Sequence, residues 1–260
     1  MLSAEQEPRV TFGFEEFWTV VYGHHQQQFD AITDLLRLAN EMLQVAENKA
    51  AEPVEMVIHE LTRATMAGAC DVLLLCGNGC GLGAMKIVRG MYESRWTAEY
   101  LRRNPEEVKD YIDFGLIMSW RRYQWLQDNI REGVKPLSSE DVKNIEDAYN
   151  RVKPRFTNVE GRVRNQWSKK GIRQIAEEIG SGKEYELPYS LACSIHHANA
   201  EGLGAGAPVT PPSLEWVRNT LLAAGTNLWF ALNTLNDSCV LGFSDRLNTA
   251  GEIHSQVWKE

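Results

Sequence analysis

The sequence is poor in cysteine, and its cysteines do not fall into recognisable pairs. Its 260 residues include five, Cys70, Cys76, Cys80, Cys193 and Cys239, with no CxxC motif and no second pair to complement the CxxxC spacing of Cys76 and Cys80. The opening residues MLSAEQEPRV lack the apolar region of a secretory leader. We therefore expect reduced thiols in a cytoplasmic protein, because disulfides persist mainly in oxidising compartments.

Metal-binding motifs and membrane spans are missing as well. His59 precedes Glu60 without the second histidine of HExxH, and no pair of Glu-x-x-His motifs is present, as di-iron bundles would require. The longest apolar stretch, residues 68–88, contains Asp71 and Lys86 and does not fit a membrane span. The sequence predicts no metal, no cofactor and no membrane partner.

Positive charge is in deficit, with 27 Lys and Arg against 35 Asp and Glu and a formal net charge of −8. This balance argues against a surface that coats nucleic acid broadly, whereas a local basic patch can still hold RNA. The remaining composition, 43% hydrophobic with eight Trp, is typical of a packed globular protein. The length is close to the upper size of one core, so we predict a single domain over residues 1–260, with two small domains as the alternative.

Apolar residues recur with a helical period along the chain, and no alternating stretch is long enough for a sheet. The sequence therefore predicts an all-α fold, a multi-helix bundle of long antiparallel helices with short helices at one end. The polar segment 244–260 is predicted to be a tail. In chain order, the predicted helices cover residues 14–48, a stretch that starts at Pro53, residues 84–103 and a stretch that starts at Pro105. Further helices are predicted after the cap SSED, over GIRQIAEEIG, from Pro188 onward and over residues 213–241.

The glycine-rich stretch CGNGCGLGAMK, residues 76–86, allows two interpretations. Gly79, Gly81 and Ala84 match the G-x-G-x-x-[GA] pattern of a dinucleotide-binding loop. That pattern has meaning only inside a βαβ unit, and the remaining chain supplies no parallel strands. We therefore predict a junction between two helices at this stretch.

Two helices carry polar residues that interrupt an apolar stripe. In AMKIVRGMYESRWTAEYLRR, Arg89 falls between Trp96 and Tyr100 on the helical wheel, and Glu93, one turn further on, is its nearest candidate partner. In the later helix, His196 shares a face with Tyr189, while His197 points about a quarter turn away. Each feature fits either core packing or a functional site. A nucleophilic role for the neighbouring Cys193 and Ser194 is disfavoured.

Three motifs follow one another along the chain: Arg89 and Glu93 on a helix that ends before Asn104-Pro105, then Trp167 before a short helix, then Tyr189, Ser194 and His196 or His197 on one later helix. Motifs in this order resemble the bacterial domain-of-unknown-function 5677 family. Its pattern is an Arg-x-x-x-Glu helix ending in Asn-Pro, a Trp before a short helix, and a Tyr, a Ser and a His on one later helix. The matching positions, all between residues 70 and 205, are Arg89, Glu93, Trp167, Tyr189, Ser194 and His196 or His197. The resemblance implies an all-helical bacterial protein and brings no established activity.

A weaker analogy connects the chain to HEPN-like ribonucleases and abortive-infection proteins, which use an Arg and a His near a helix end to cleave RNA. Their Arg precedes the His by four to six residues on one helix, whereas no arginine lies between Arg173 and His196 here. Arg89 would have to come from another helix. On this hypothesis His196 is general acid or base, Arg89 stabilises phosphate charge, and Glu93 and Tyr189 orient them.

The alternative hypothesis is a non-catalytic helical module that binds a small ligand or a protein partner. An enzyme requires the polar residues to converge on an open cleft, whereas a module allows them to be sealed between helices. A homodimer built on the first and last helices is compatible with either hypothesis. Its predicted contact residues are Trp18, Phe29, Trp216, Trp229 and Phe230.

Overall fold

The computed structural model describes residues 13, 15–129, 137–197 and 213–259. These residues are mostly helical and include no strand, so the prediction of an all-α, multi-helix fold is confirmed. The helices are α1 Glu15–Glu47, α2 Pro53–Gly77, α3 Gly81–Arg103, α4 Val108–Asp128, α5 Ser139–Phe156, α6 Ile172–Glu178, α7 Gly182–Glu184, α8 Ser190–His196, α9 Leu214–Cys239 and α10 Ser244–Gln256. A 3-10 turn, Pro105–Glu107, precedes α4, and a π-helical turn, Tyr185–Tyr189, precedes α8.

The chain divides into two compact units. The larger unit comprises Met1–Arg102 and Ile175–Glu260, and the smaller unit comprises Arg103–Gln174. The single domain over residues 1–260 stays a prediction. None of the helices in the described ranges is long and apolar enough to cross a membrane.

In the larger unit, α9 packs along α2 and α1, and α10 packs against α9 and α1. The helices bury their apolar stripes against one another, and the fully buried side chains include Ile32, Met42, Ile58, Leu221 and Leu228. The backbone of α1 departs from helical geometry at His25, whose ring Nε2 lies 3.1 Å from the Leu214 carbonyl oxygen. This contact ties α1 to the start of α9.

The glycine-rich stretch forms a junction between α2 and α3, as predicted. Gly79 has a left-handed φ of +73°, and the backbone amides of Gly79 and Cys80 donate to the carbonyls of Cys76 and Leu75 at 2.8 and 2.9 Å. These two bonds form a Schellman motif, which satisfies the last carbonyls of α2. A Cβ on Gly81 would lie 2.3 Å from the backbone nitrogen of Val217, so glycine is required there for α3 and α9 to approach each other.

The smaller unit is built on α4 and α5, which pack against each other. Its core consists of Phe114, Ile117, Val152 and Phe156. The predicted cap before α5 is confirmed, since the Ser138 hydroxyl accepts a hydrogen bond from the Asp141 amide at 3.1 Å.

Two local predictions are wrong. Pro188 does not begin a helix but lies inside the π-helical turn, after helical residues that start at Gly182. Because proline has no N–H to donate, it is accommodated where the regular ladder is already interrupted. The sequence predicts a polar tail over residues 244–260 that frays or packs on a partner, whereas α10 occupies most of this segment and buries Leu247 and His254 within the chain. Burial of so few side chains leaves a weak periodic signal in the sequence.

Some predicted features cannot be compared with the structure. From its apolar period, the helix that starts at Pro188 is predicted to continue through ANAEG, and the glycines and prolines of GLGAGAPVTPP predict a loop over residues 202–212. Residues 198–212 lie outside the described residues. The homodimer stays a prediction. Phe29 and Trp216 of its proposed contact set are buried within the chain itself, while Trp18 and Phe230 are more than a third exposed.

Candidate functional site

Arg89 and Glu93 lie one turn apart on α3 and form an ion pair, as their spacing predicts. The Arg89 Nη2 and Glu93 Oε1 atoms are 2.9 Å apart. The Arg89 side chain is 26% exposed and the Glu93 side chain 38% exposed. The pair is therefore open to solvent on one side.

Tyr189 brings the π-helical turn onto this pair. Its phenol donates a hydrogen bond to Glu93 Oε1 at 2.6 Å, although the residue itself is buried. Burial raises the pKa of Tyr189 well above its ordinary value, and the hydrogen bond and negative charge of Glu93 raise it further. Tyr189 is thus a neutral donor at physiological pH, and Glu93 Oε1 accepts from both Tyr189 and Arg89.

Cys193 supplies the second anchor of the guanidinium. It follows Tyr189 by one helical turn, and Arg89 Nε donates to its Sγ atom at 3.2 Å. Burial disfavours the charged form of Arg89, but the contacts with Cys193 and Glu93 outweigh it and raise the pKa of Arg89. The guanidinium is therefore positively charged and held in one orientation by two helices.

His196 lies at the end of α8 and is exposed, so it is not a core residue. It follows Cys193 by three residues, which places it about 4.5 Å further along the helix axis on a similar face. The ring contacts that of His197 edge-on, with 4.9 Å between centroids. Within the described ranges His196 makes no hydrogen bond with Arg89, Glu93 or Tyr189, so its predicted functional pairing with Arg89 stays a prediction.

A second, buried ion pair on α3 was missed by the sequence analysis. Arg95 pairs with Glu184 of α7, and its side chain is only 5% exposed. The guanidinium lies over the rings of Tyr92, Trp96 and Phe230, with distances to the centroids of 5.7, 5.7 and 4.8 Å. Its spacing of three residues from buried Tyr92 was an available signal, whereas nothing in the sequence connected it to Glu184. The Arg95 guanidinium is buried between helices, whereas the Glu184 side chain is 27% exposed, and the aromatic contacts of Arg95 assign the pair to packing.

The site shows no ligand set of the kind that metals use. In the part of the chain that the structure describes, no group of three or more His, Cys, Asp or Glu side chains is arranged to hold a metal ion. The five cysteines are free thiols. Arg89, Glu93, Tyr189 and Cys193 together form what we call the Arg89 network, a charged and hydrogen-bonded group at the edge of the larger unit.

The fold and the network define a class of all-helical protein in which an Arg-x-x-x-Glu helix is fastened to a later helix through tyrosine and cysteine. A model of the family of unknown function DUF5677 matches residues 55–205, more than half of the chain, and the chain belongs to this family. The match confirms the resemblance seen in the sequence and contains the whole Arg89 network and His196. Neither the comparison with curated proteins nor that with solved structures found a match.

Proposed function

We propose that this protein is a cytoplasmic, metal-independent ribonuclease of the HEPN-like type. The observation that carries the proposal is the Arg89 network, a charged guanidinium fixed by Glu93 and Cys193 and partly open to solvent, with the exposed His196 three residues after Cys193 on α8. A cationic side chain held in one position stabilises the negative charge that develops on a phosphate during cleavage.

His196 has the chemistry required for the proton transfer. An imidazole can accept or donate a proton, so His196 would serve as a general base for the ribose hydroxyl or a general acid for the leaving oxygen. Arg89 stabilises the phosphate, and Glu93 and Tyr189 set the orientation of the guanidinium. Cys193 adds a contact on the opposite edge of the guanidinium, and it is a positioning residue here.

The contrast between the two ion pairs on α3 supports a functional role for one of them. Arg95, which serves packing, is 5% exposed and covered by aromatic rings. Arg89 is five times more exposed and has a charged partner and a sulfur partner in place of rings.

The proposal is tested by incubating the purified protein with total RNA and following cleavage products. We expect His196→Ala to lower the cleavage rate by about a hundredfold or more while the protein stays folded. His24→Ala, which removes another exposed histidine from α1, is the matched control and should retain the wild-type rate. Circular dichroism checks that all variants keep their helical content.

Two outcomes contradict the proposal. One is the absence of any RNA cleavage by the wild-type protein in the presence of a chelator. The other is equal cleavage by the wild-type protein and by the folded His196→Ala variant. His197→Ala, assayed in parallel, shows which of the two adjacent histidines carries the rate.

A second candidate function is a non-catalytic module that binds a small apolar ligand, and one observation favours it. Trp18, Tyr22, Phe29, Leu73 and Leu74 line an open groove of about 810 Å³ between α1 and α2. Its volume is within the range that binds drug-sized ligands.

The groove can be probed with anilinonaphthalene sulfonate, a dye that fluoresces on apolar surfaces. Leu74→Asp places a charge in the groove and should abolish saturable dye binding. Met56→Asp introduces the same charge at another exposed apolar position of α2 and should not. Equal fluorescence from both variants contradicts this function.

A further inference from the structure

Charge is distributed very unevenly between the two units. The smaller unit, Arg103–Gln174, contains 15 Lys and Arg against 11 Asp and Glu, a formal charge of +4. The remaining chain therefore has a formal charge of −12, and the two values sum to the −8 of the whole chain. The smaller unit is therefore basic although the chain as a whole is acidic.

The positive charge of the smaller unit is concentrated at the end of α5 and in the turn that follows. Residues 151–173 include eight Lys and Arg and one acidic residue, Glu160. The exposed cations of this stretch, which we call the basic surface, are Arg151, Lys153, Arg155, Arg162, Lys169 and Arg173.

The turn after α5 folds back onto the end of the helix, which places Arg162 and Arg164 next to the last turn of α5. Thr157 and Val163 form an isolated bridge, and the Arg164 amide donates to the Phe156 carbonyl at 2.9 Å. The buried ring of Phe156 anchors the end of the helix in the core of the smaller unit. The end of α5 and the turn after it, which carry cations of the basic surface, are therefore held by the core of the smaller unit.

Acidic groups neutralise only part of this surface. Arg155 pairs with Asp113, and Arg162 lies 3.9 Å from Glu160. Within the described residues, Arg151, Lys153 and Lys169 have no carboxylate within ion-pair distance. Lys153 instead lies over the ring of Tyr149, 5.4 Å from its centroid. Uncompensated cations without a nearby acidic partner produce a local positive potential that attracts polyanions.

We propose that the basic surface of the smaller unit binds the phosphate backbone of RNA. The assignment rests on the proposed ribonuclease function for the choice of RNA among polyanions. The charge complementarity itself is independent of that function, since a local excess of exposed Lys and Arg is the electrostatic signature of nucleic-acid binding. The cations contact phosphates, so binding should depend weakly on sequence.

The test compares two variants that change the net charge equally. The first replaces Arg151, Lys153, Arg162 and Lys169 with Gln, and all four are exposed. The control replaces four exposed cations of the larger unit, Arg37, Arg63, Arg246 and Lys259, with Gln. Each variant loses four positive charges, so any difference between them reports on location and not on overall charge.

Binding is measured by fluorescence anisotropy with a labelled 2′-O-methyl RNA of about 20 nucleotides, which cannot be cleaved at the ribose hydroxyl. The salt concentration is varied between about 50 and 200 mM, because each phosphate contact adds to the salt dependence. Loss of four contacts to a single strand should reduce the slope of log K against log salt by about 3 and weaken binding by more than about tenfold. The control variant should bind within about twofold of wild type.

Each outcome decides the proposal. A reduced slope and weakened binding confined to the first variant support it. Equal binding by both variants, or no RNA binding by the wild-type protein, overturns it. Equally tight binding of polyglutamate or of vesicles rich in phosphatidylserine overturns the assignment to RNA.

Failure here is distinguishable from failure of the proposed function. If the wild-type protein cleaves RNA and the first variant binds as tightly as wild type, docking on the basic surface is wrong while the ribonuclease function stands. If the first variant loses binding and the wild-type protein cleaves nothing, RNA docking stands without catalysis.

Discussion

Glu184→Ala should destabilise the larger unit far more than Arg95→Met, although the two changes break the same ion pair. The reason is that the two partners are buried to different extents. The Arg95 side chain is 5% exposed, whereas that of Glu184 is 27% exposed and also accepts from Trp96 Nε1 at 3.4 Å. Removing Glu184 leaves a buried guanidinium without its counter-charge, and Arg95 Nε already lacks a hydrogen-bond partner.

The expected magnitudes follow from these environments. An uncompensated buried charge costs about 3–5 kcal/mol of unfolding free energy, so Glu184→Ala should fall in that range. Arg95→Met removes the charge, keeps much of the volume against Phe230, and leaves a carboxylate that water can reach. Its cost should be about 1–2 kcal/mol. A difference of about 2 kcal/mol corresponds to about thirtyfold in the ratio of folded to unfolded protein.

Urea unfolding followed by circular dichroism measures these values. The double variant Arg95→Met/Glu184→Ala should be more stable than Glu184→Ala alone, because the stranded charge is gone. Glu252→Ala, which removes an exposed carboxylate of α10, is the control and should change stability by less than about 0.5 kcal/mol. Equal costs for the two single variants, or a cost below about 1 kcal/mol for Glu184→Ala, would refute the reasoning.

Two further predictions concern stability. Gly81→Ala should lower the free energy of unfolding by about 1–3 kcal/mol, because the added Cβ would lie 2.3 Å from the Val217 backbone nitrogen. Gly83→Ala should stabilise α3 slightly, because its added Cβ has no neighbouring atom within 4 Å. Thermal melting curves of both variants check this prediction, and equal melting temperatures would contradict it. The second concerns pH. Burial lowers the pKa of His254, and its ring accepts from Trp258 Nε1 at 3.3 Å, so the native state resists a proton that the unfolded state binds below about pH 6.5. The contribution of His254 to stability is then full above about pH 6.5 and falls as the pH decreases toward the lowered native pKa. Between about pH 8 and about pH 5.5, the urea midpoint should therefore decrease less for His254→Gln than for wild type. Equal decreases would argue against this prediction.

Much of the fold could be predicted because its signals are local. The cap at Ser138, the Pro53 start of α2 and the glycine junction at Gly79 depend on interactions within a few residues. Periodicity identified α1 and α9 because their buried faces are broad. The short helix α10 was missed, since it buries only Leu247 and His254.

The candidate site could be predicted only in part. Arg89 and Glu93 are neighbours on one helix, so their ion pair follows from spacing. Tyr189 and Cys193 come from a segment about a hundred residues away, and their contacts with this pair depend on how two helices pack. The partner of Arg95 could not be inferred for the same reason.

The sequence by itself determined the helical class, most helix boundaries and the concentration of positive charge in residues 151–173, because composition, caps and periodicity act over one or two turns. Tertiary structure alone decided that the Arg95 side chain is buried while that of Arg89 is partly exposed. Both arginines lie on α3 among aromatic residues, and nothing local distinguishes them. What distinguishes them is which helix packs across each one, and that depends on contacts between residues far apart in the chain.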